Sequence, residues 1–275
     1  MTQDPNISLS QSELSELTAA ADDLVSEAQA VLKRRFESVF ARSYKQDGTI
    51  VTDVDTEIET KLRGIINSRF PDHGILGEEF GAERPESRFQ WIIDPVDGTE
   101  NFSRGIPTFG IILGLHLKNV PIVGIIDHPV LNLRYSACRG RGTERNGQEL
   151  RIPPLPTGAD PRREVFAMSN PVTYILSGGC RPLLEFLGTG INVRIYGDCF
   201  AHTRAVEGQV GAMIAVNNKK WDLAASRILT EEAGGRYATI TETDEGGISK
   251  ATVIFGKSEV VNFLLKFIAD RGGEI

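Results

Sequence analysis

An apolar run, Trp91-Ile92-Ile93, leads without a break into Asp94-Pro95-Val96-Asp97-Gly98-Thr99, and this junction constrains the fold more than any other feature of the chain. β-branched residues before it predict a strand, and the proline and glycine predict a sharp turn at the strand's end. Two acids three residues apart then converge at the edge of a sheet. In α/β proteins the carboxyl edge of the strands is where ligands sit, so carboxylates placed there are available for chemistry. Asp-Pro and Asp-Gly pairs are also ordinary turn formers, and the junction alone leaves that reading open.

The rest of the pattern predicts a layered α/β protein. Residues 10–34 read as a helix: Ser10 and Glu13 form a capping box, and Leu14, Leu17, Ala21, Leu24, Ala28 and Val31 recur at helical spacing. A polar turn at Asp47 and Gly48 precedes a short extended run to Asp55, and Ile58, Leu62, Ile65 and Ile66 mark a second helix closed by Pro71. Strands are expected at 74–77, 90–93, 109–117, 122–126 and 132–137, the last followed by hairpin turns at 139–142 and Asn146-Gly147. The proline-rich stretch 153–161 is taken as a boundary between an N-terminal α+β half, 1–152, and a C-terminal α/β half, 153–275. Beyond it, strands at 164–168, 193–196, 212–216 and 251–255 alternate with helices at 182–187, 200–207, 221–233 and 260–269.

With 275 residues, 40% of them hydrophobic, the chain can bury a large core. A formal charge of −7 argues against a general nucleic-acid binder, which needs a basic surface. Three cysteines, Cys138, Cys180 and Cys199, have no CxxC spacing and indicate neither a disulfide framework nor a zinc site. The polar start and the lack of a long apolar stretch argue against a signal peptide or membrane span, so a cytoplasmic location is expected.

Two further acids follow the logic of the first pair. Glu78, in Gly77-Glu78-Glu79, ends a short apolar strand, and Asp222, in Trp221-Asp222, opens the helix expected at 221–233. Taken singly, Glu78 suits a solvated strand end and Asp222 a helix N-terminus. Asp55 likewise suits a helix cap and Thr99 a turn.

Together these motifs resemble the inositol monophosphatase family, which includes histidinol-phosphate phosphatases and enzymes acting on fructose bisphosphate and phosphorylated nucleotides. Gly77-Glu78-Glu79, Asp94-Pro95-Val96-Asp97-Gly98-Thr99 and Trp221-Asp222-Leu223-Ala224-Ala225 stand in the family's order and spacing, with Asp47, Thr52 and Asp55 upstream. The resemblance implies a sandwich of alternating helix and sheet layers and a Mg²⁺-dependent phosphomonoesterase. By it, Glu78, Asp94 and the Val96 carbonyl hold one Mg²⁺. Asp94, Asp97 and Asp222 hold a second, and a third, weaker ion joins through Glu78. Thr99 orients the attacking water with Asp55 as its proton acceptor, and the Gly98 and Thr99 amides receive phosphate oxygens. An all-oxygen ligand set suits Mg²⁺ or Mn²⁺ better than zinc. Phosphate monoesters hydrolyse so slowly that accelerations approaching about 10²¹ are needed, and cations that neutralise the phosphoryl group supply part of that.

For the substrate, the inositol phosphatases carry a glutamate seven residues before the last aspartate, where this chain has Ala215. The stretch 71–81 and Gly197-Asp198-Cys199 resemble the histidinol-phosphatase branch. Asp198 is placed to pair with the ammonium group beside that substrate's ester, or else to cap the helix expected at 200–207. Histidinol phosphate is therefore the expected substrate. Inositol 1-phosphate with broad specificity is the alternative within the class, and an interaction protein of the transcription machinery the alternative outside it. The resemblance also implies lithium sensitivity and a homodimer. Lys45 is read as exposed, Glu100 has no assigned role, and His73, His116, His128 and His202 are expected in core or surface positions.

Overall fold

The structure is a computed structural model that describes residues 9–36, 42–44, 50–168, 181–245 and 248–271. Lys45, Asp47, Gly48 and Cys180 lie outside the described residues. Helix α1 (Gln11–Phe36) starts on the expected capping box, with the Ser10 amide donating to Glu13 Oε2 at 2.7 Å and the Glu13 amide to Ser10 Oγ at 3.2 Å. The strands β1 (Arg42–Tyr44) and β2 (Ile50–Thr52) pair as a small antiparallel ribbon, and α2 (Asp53–Arg69) follows directly.

An eight-stranded sheet comes next, built from β3 (Gly74–Gly77), β4 (Gly81–Glu83), β5 (Phe89–Asp97), β6 (Gly110–Leu117), β7 (Val120–His128), β8 (Leu133–Cys138), β9 (Gly142–Arg145) and β10 (Gln148–Leu150). The order across it is β10-β9-β8-β7-β6-β5-β3-β4. Only β3 and β5 run parallel within it; each other neighbouring pair is antiparallel. A short helix α3 (Thr99–Ser103) interrupts the path from β5 to β6.

The second sheet takes β11 (Val165–Met168), β12 (Asn192–Ile195), β13 (Ala212–Lys219), β14 (Arg236–Glu245) and β15 (Ile248–Gly256), in the order β12-β11-β13-β15-β14. Its helices are α4 (Arg181–Leu187), α5 (Asp198–Val206), α6 (Ser226–Glu232) and α7 (Ser258–Ala269).

Alternation along the strands sorts these elements into layers, because successive side chains point to opposite faces of a sheet. Trp91, Ile93, Leu113 and Ile125 pack with Leu24, Leu32, Ile58 and Leu62 of α1 and α2. Ile92, Ile112 and Ile126 face the other way, onto Cys199, Val206, Ile228 and Leu229 of α5 and α6. The five-stranded sheet does the same: Met213, Ala215 and Val253 meet Ala201 and Ala205 of α5, whereas Ile214 and Ile254 meet Phe186 of α4 and Leu264 of α7. The result is a helix–sheet–helix–sheet–helix sandwich whose central helical layer serves both sheets. Each fully buried Leu, Ile or Phe contributes about 1.5–3 kcal/mol, so the shared layer couples the two sheets strongly.

The structure revises several expected elements. The strand expected to end at residue 93 continues as β5 to Asp97. The helix expected over 221–233 begins only at Ser226, and 221–225 form a turn. The helix expected from residue 200 begins at Asp198, the 212–216 strand extends to Lys219, and β14 occupies residues for which no strand was expected.

The turn at 221–225 sits where it does because β6 and β7 offer it a flat place. Gly114 and Gly124 are cross-strand partners on the face toward α6. A Cβ at Gly114 would lie 2.5 Å from the Ala224 carbonyl oxygen, and one at Gly124 would lie 2.5 Å from Ile228 Cγ2. Two missing side chains thus let a loop from the second sheet approach the first, beside the end of β5.

Candidate metal centre

β3 and β5 run parallel with Gly77 opposite Ile93, so the next residues along, Glu78 and Asp94, emerge side by side at the same edge. The Glu78 amide donates to the Ile93 carbonyl at 3.2 Å and extends that pairing. Asp97 reaches the same place through an irregularity. Asp94 pairs with Ile112 and Asp97 with Gly110, so β5 spends three steps where β6 spends two. The extra residue is a β-bulge, which reverses the alternation and puts both aspartates on one side. The turn expected beyond the strand is instead a distortion within it.

Asp222 arrives from the turn that rests on Gly114 and Gly124. Its Oδ2 accepts the Lys219 amide at 2.8 Å, which fixes the carboxylate ahead of α6 and not on the first turn of that helix. Carboxylate oxygens of Asp94, Asp97 and Asp222 all lie within 4.8 Å of one another. Asp94 is 1% exposed, and its Oδ1 accepts the Val96 amide at 3.2 Å. The Asp97 carboxylate accepts the Cys199 amide at the start of α5.

Such a cluster resists ionisation. Burial pushes the Asp94 carboxyl well above the usual range, and Glu78, Asp97, Asp222 and Asp55 push it further. Asp97 is raised by burial and then by Asp198 and Asp222. Asp222 is raised to about 7, by burial and then by Glu78. Two charges 4.8 Å apart repel by about 3.5 kcal/mol at an effective dielectric of about 20, which a divalent cation between them would reverse. The donor set therefore fits a hard cation. Among the described residues no histidine or cysteine enters the cluster: His128 is engaged with the Phe109 carbonyl and Thr203 Oγ1, both at 3.0 Å.

Asp55 and Thr99 meet as expected. Asp55 completes a capping box with Thr52, accepting the Thr52 amide at 2.9 Å, and its other oxygen accepts Thr99 Oγ1 at 3.0 Å. Helix cap and site residue are thus one and the same. The Thr99 hydroxyl has a second acceptor, the Val96 carbonyl at 2.8 Å, and its single proton can serve one of them at a time. Asp55 is raised, chiefly by burial, with Glu78 adding to it. Gly98 turns the chain at φ +85° between Asp97 and α3.

Asp198 lies beside this cluster. It adopts φ +56°, and its Oδ2 accepts Asn101 Nδ2 at 3.2 Å and would lie 2.9 Å from a Cβ at Gly98. Its side chain is turned toward α3, not engaged in capping α5, and burial raises its carboxyl to about 6. Ala215 is fully buried inside β13 and presents no polar group. Glu100 is exposed and pairs with Arg104. His73 is sandwiched between Phe70 and Phe89 and accepts the Trp91 indole N–H at 3.1 Å, a packing role.

The sequence reading missed residues that hold the site by backbone or amide contacts: Asn101, the Cys199 amide, the Lys219 amide and Glu59. Glu59 alone had a legible signal, an acid one helical turn after Asp55 on a face that otherwise carries Ile58 and Leu62.

The inositol monophosphatase family model matches residues 13–265. A histidinol-phosphatase of Mycobacterium tuberculosis (strain ATCC 25618 / H37Rv) is 35% identical over 237 residues, covering 83% of this chain and 90% of that protein. A histidinol-phosphatase of Chlorobaculum parvum (strain DSM 263 / NCIMB 8327) is 32% identical over 203 residues, covering 74% of this chain and 76% of its own. Among solved structures, an IMPase/NADP phosphatase complexed with Mg²⁺ and phosphate superposes with a TM-score of 0.79 at 23% identity, over 94% of this chain and 97% of that one, and establishes the shared fold.

Proposed function

The chain belongs to the inositol monophosphatase family and is a phosphatase, and on that premise we propose that it hydrolyses histidinol phosphate at a Mg²⁺ site made by Glu78, Asp94, the Val96 carbonyl, Asp97 and Asp222. The observation that carries the metal site is the convergence of Asp94, Asp97 and Asp222, from β5 and a loop of the other sheet, to within 4.8 Å. Three carboxylates held that close without a cation have no structural benefit to offset their repulsion.

Two or three Mg²⁺ ions, with Mn²⁺ a substitute, would neutralise the phosphoryl oxygens and acidify water when bound. The protein's own groups do the remainder. Asp94, which feels the charges of Glu78, Asp97 and Asp222 together, would be a ligand common to the ions. Thr99 Oγ1, held by Asp55 and the Val96 carbonyl, orients the attacking water, and Asp55 takes up its proton. The backbone amides of Gly98 and Thr99 bind phosphate oxygens, and the Cys199 amide fixes the Asp97 carboxylate.

Substrate choice rests on Asp198. Its carboxylate, steadied by Asn101 next to Gly98, supplies a negative group to an alcohol bearing an ammonium, whereas Ala215 supplies nothing to a polyol. The two histidinol-phosphatase relatives support the same choice. Turnover on histidinol phosphate, inositol 1-phosphate, fructose 1,6-bisphosphate and adenosine 3′,5′-bisphosphate tests it, with Asp198→Asn alongside. Histidinol phosphate should lead by at least about tenfold in kcat/KM, and the substitution should cost it about 1.5–3 kcal/mol while sparing an aryl phosphate. Equal losses on both substrates would remove Asp198 from the pocket. A homodimer, a cytoplasmic location and inhibition by lithium complete the proposal. Among the described residues no helix is long and apolar enough to cross a membrane.

A further inference from the structure

α2 carries three charged residues one turn apart on one face: Asp55, Glu59 and Arg63. Asp55 engages Thr99. Glu59 is 0% exposed, and the metal-binding, water-orienting and phosphate-binding roles all fall on other residues. Its carboxylate accepts two successive backbone amides, Glu79 N at 2.8 Å on Oε2 and Phe80 N at 3.1 Å on Oε1. Arg63 Nε donates to Oε1 at 2.8 Å, and the same guanidinium reaches the Gly81 carbonyl and, at 3.4 Å, Glu83. The two amides belong to the short turn that begins with Glu78 and joins β3 to β4, and Arg63 holds the strand that follows it at Gly81 and Glu83. A Cβ at Gly77 would come within 2.0 Å of Glu59 Oε1, so glycine at that position is what lets the helix carboxylate reach the turn.

We propose that Glu59 is a positioning residue for the metal centre: it ties the Glu78 turn to the helix that also presents Asp55, and so fixes Glu78 relative to Asp94 and the Asp55–Thr99 pair. This inference rests on the reading of Glu78 as a metal ligand. A buried acid here has a cost that packing alone would avoid, since an apolar residue of similar size avoids desolvating a charge. Its return is geometric. A carboxylate accepts from two amides and a guanidinium at once, which an amide side chain cannot do, because its –NH₂ would face a donor. Groups that orient metal ligands in this way change metal affinity by about 10–100-fold when removed.

The test is calorimetric titration of the metal-free, full-length protein with Mn²⁺ and with Mg²⁺, for wild type, Glu59→Gln, Glu59→Asp, Glu78→Ala and the Glu59→Gln/Glu78→Ala double variant. Glu59→Gln should weaken binding by about 10–100-fold. Glu59→Asp, which keeps the charge and withdraws it from the amides, should weaken it by less. In the Glu78→Ala background Glu59→Gln should have no further effect, because its influence passes through Glu78. A role confined to stability would lower the melting temperature in chelator and leave metal affinity within about twofold, and that result overturns the proposal. So would an equal further loss in the Glu78→Ala background. If Glu59→Gln does not fold, Glu59→Asp decides: wild-type affinity there is equally fatal. Absence of metal binding in the wild type would instead overturn the assignment of the metal centre.

Discussion

Replacing Asp94 by Asn should make the metal-free protein more stable and the metal-exposed protein less so. Asp94 shares its surroundings with Asp97 and Asp222, all with oxygens within 4.8 Å, and each fully ionised pair costs about 3.5 kcal/mol at an effective dielectric of about 20. Protonation relieves part of this, because Asp222 is raised to about 7 and so is partly protonated near neutrality. At pH 8 the net relief on removing one charge is about 2 kcal/mol, which for a chain of this size is a rise of about 4–8 °C in melting temperature. The asparagine keeps an oxygen for the Val96 amide, so the local hydrogen bond survives. Mg²⁺ at about 1,000 times its dissociation constant should stabilise the wild type by about 4 kcal/mol and the variant hardly at all. The order of melting temperatures therefore inverts between chelator and saturating Mg²⁺. The sign with pH follows from raised carboxyl values: the penalty in the folded, metal-free protein is absent below about pH 4 and grows as pH rises above it, so the variant's advantage in chelator should be smaller at pH 5 than at pH 8. Thermal unfolding followed by circular dichroism, with chelator and with Mg²⁺ at both pH values, measures all four states. A variant that is less stable than wild type in chelator at pH 8, yet still stabilised normally by Mg²⁺, would refute the reasoning.

Gly114→Ala should displace the 221–225 turn, since the new Cβ would fall 2.5 Å from the Ala224 carbonyl; a loss of about 1–3 kcal/mol in urea unfolding and weaker metal binding through Asp222 are expected, and an unchanged metal affinity would separate the glycine from the site. His116, His128 and His202 are each lowered by burial to about 4, so each neutral imidazole favours folding fully above about pH 6.5 and loses that contribution as pH falls toward 4. Their ring resonances should stay in the neutral form down to about pH 5, and titration near 6.5 would place them in solvent.

How much of this was legible depended on whether local chemistry and tertiary packing agreed. In α1 they agree: the Ser10–Glu13 capping box and the Leu14-to-Val31 stripe determine start and face, and the helix forms as read. At Asp94–Thr99 they conflict. Proline and glycine signal a turn, but pairing with Ile112 and Gly110 holds the chain in the sheet and converts the signal into a bulge. At 221–225 the residues are good helix formers, and the flat surface at Gly114 and Gly124 with the Asp222–Lys219 contact holds them as a turn instead. β14 escaped notice because it packs on both sides, Tyr237 against one core cluster and Ala238 and Ile240 against another, so that no single apolar face sets a period of two. The acids of the site were visible because their motifs stand together in one family's order and spacing, although each acid taken singly suits a turn, a strand end or a helix cap. The groups that position them were not, because a backbone amide such as that of Cys199 leaves no mark in the sequence.

The site's meaning can be read most directly from anomalous diffraction on crystals grown with Mn²⁺ and phosphate. Anomalous peaks between Asp94, Asp97 and Asp222, with a phosphate oxygen near the Gly98 and Thr99 amides, are the expected result. Well-ordered crystals at saturating Mn²⁺ with no peak among those three carboxylates would contradict it.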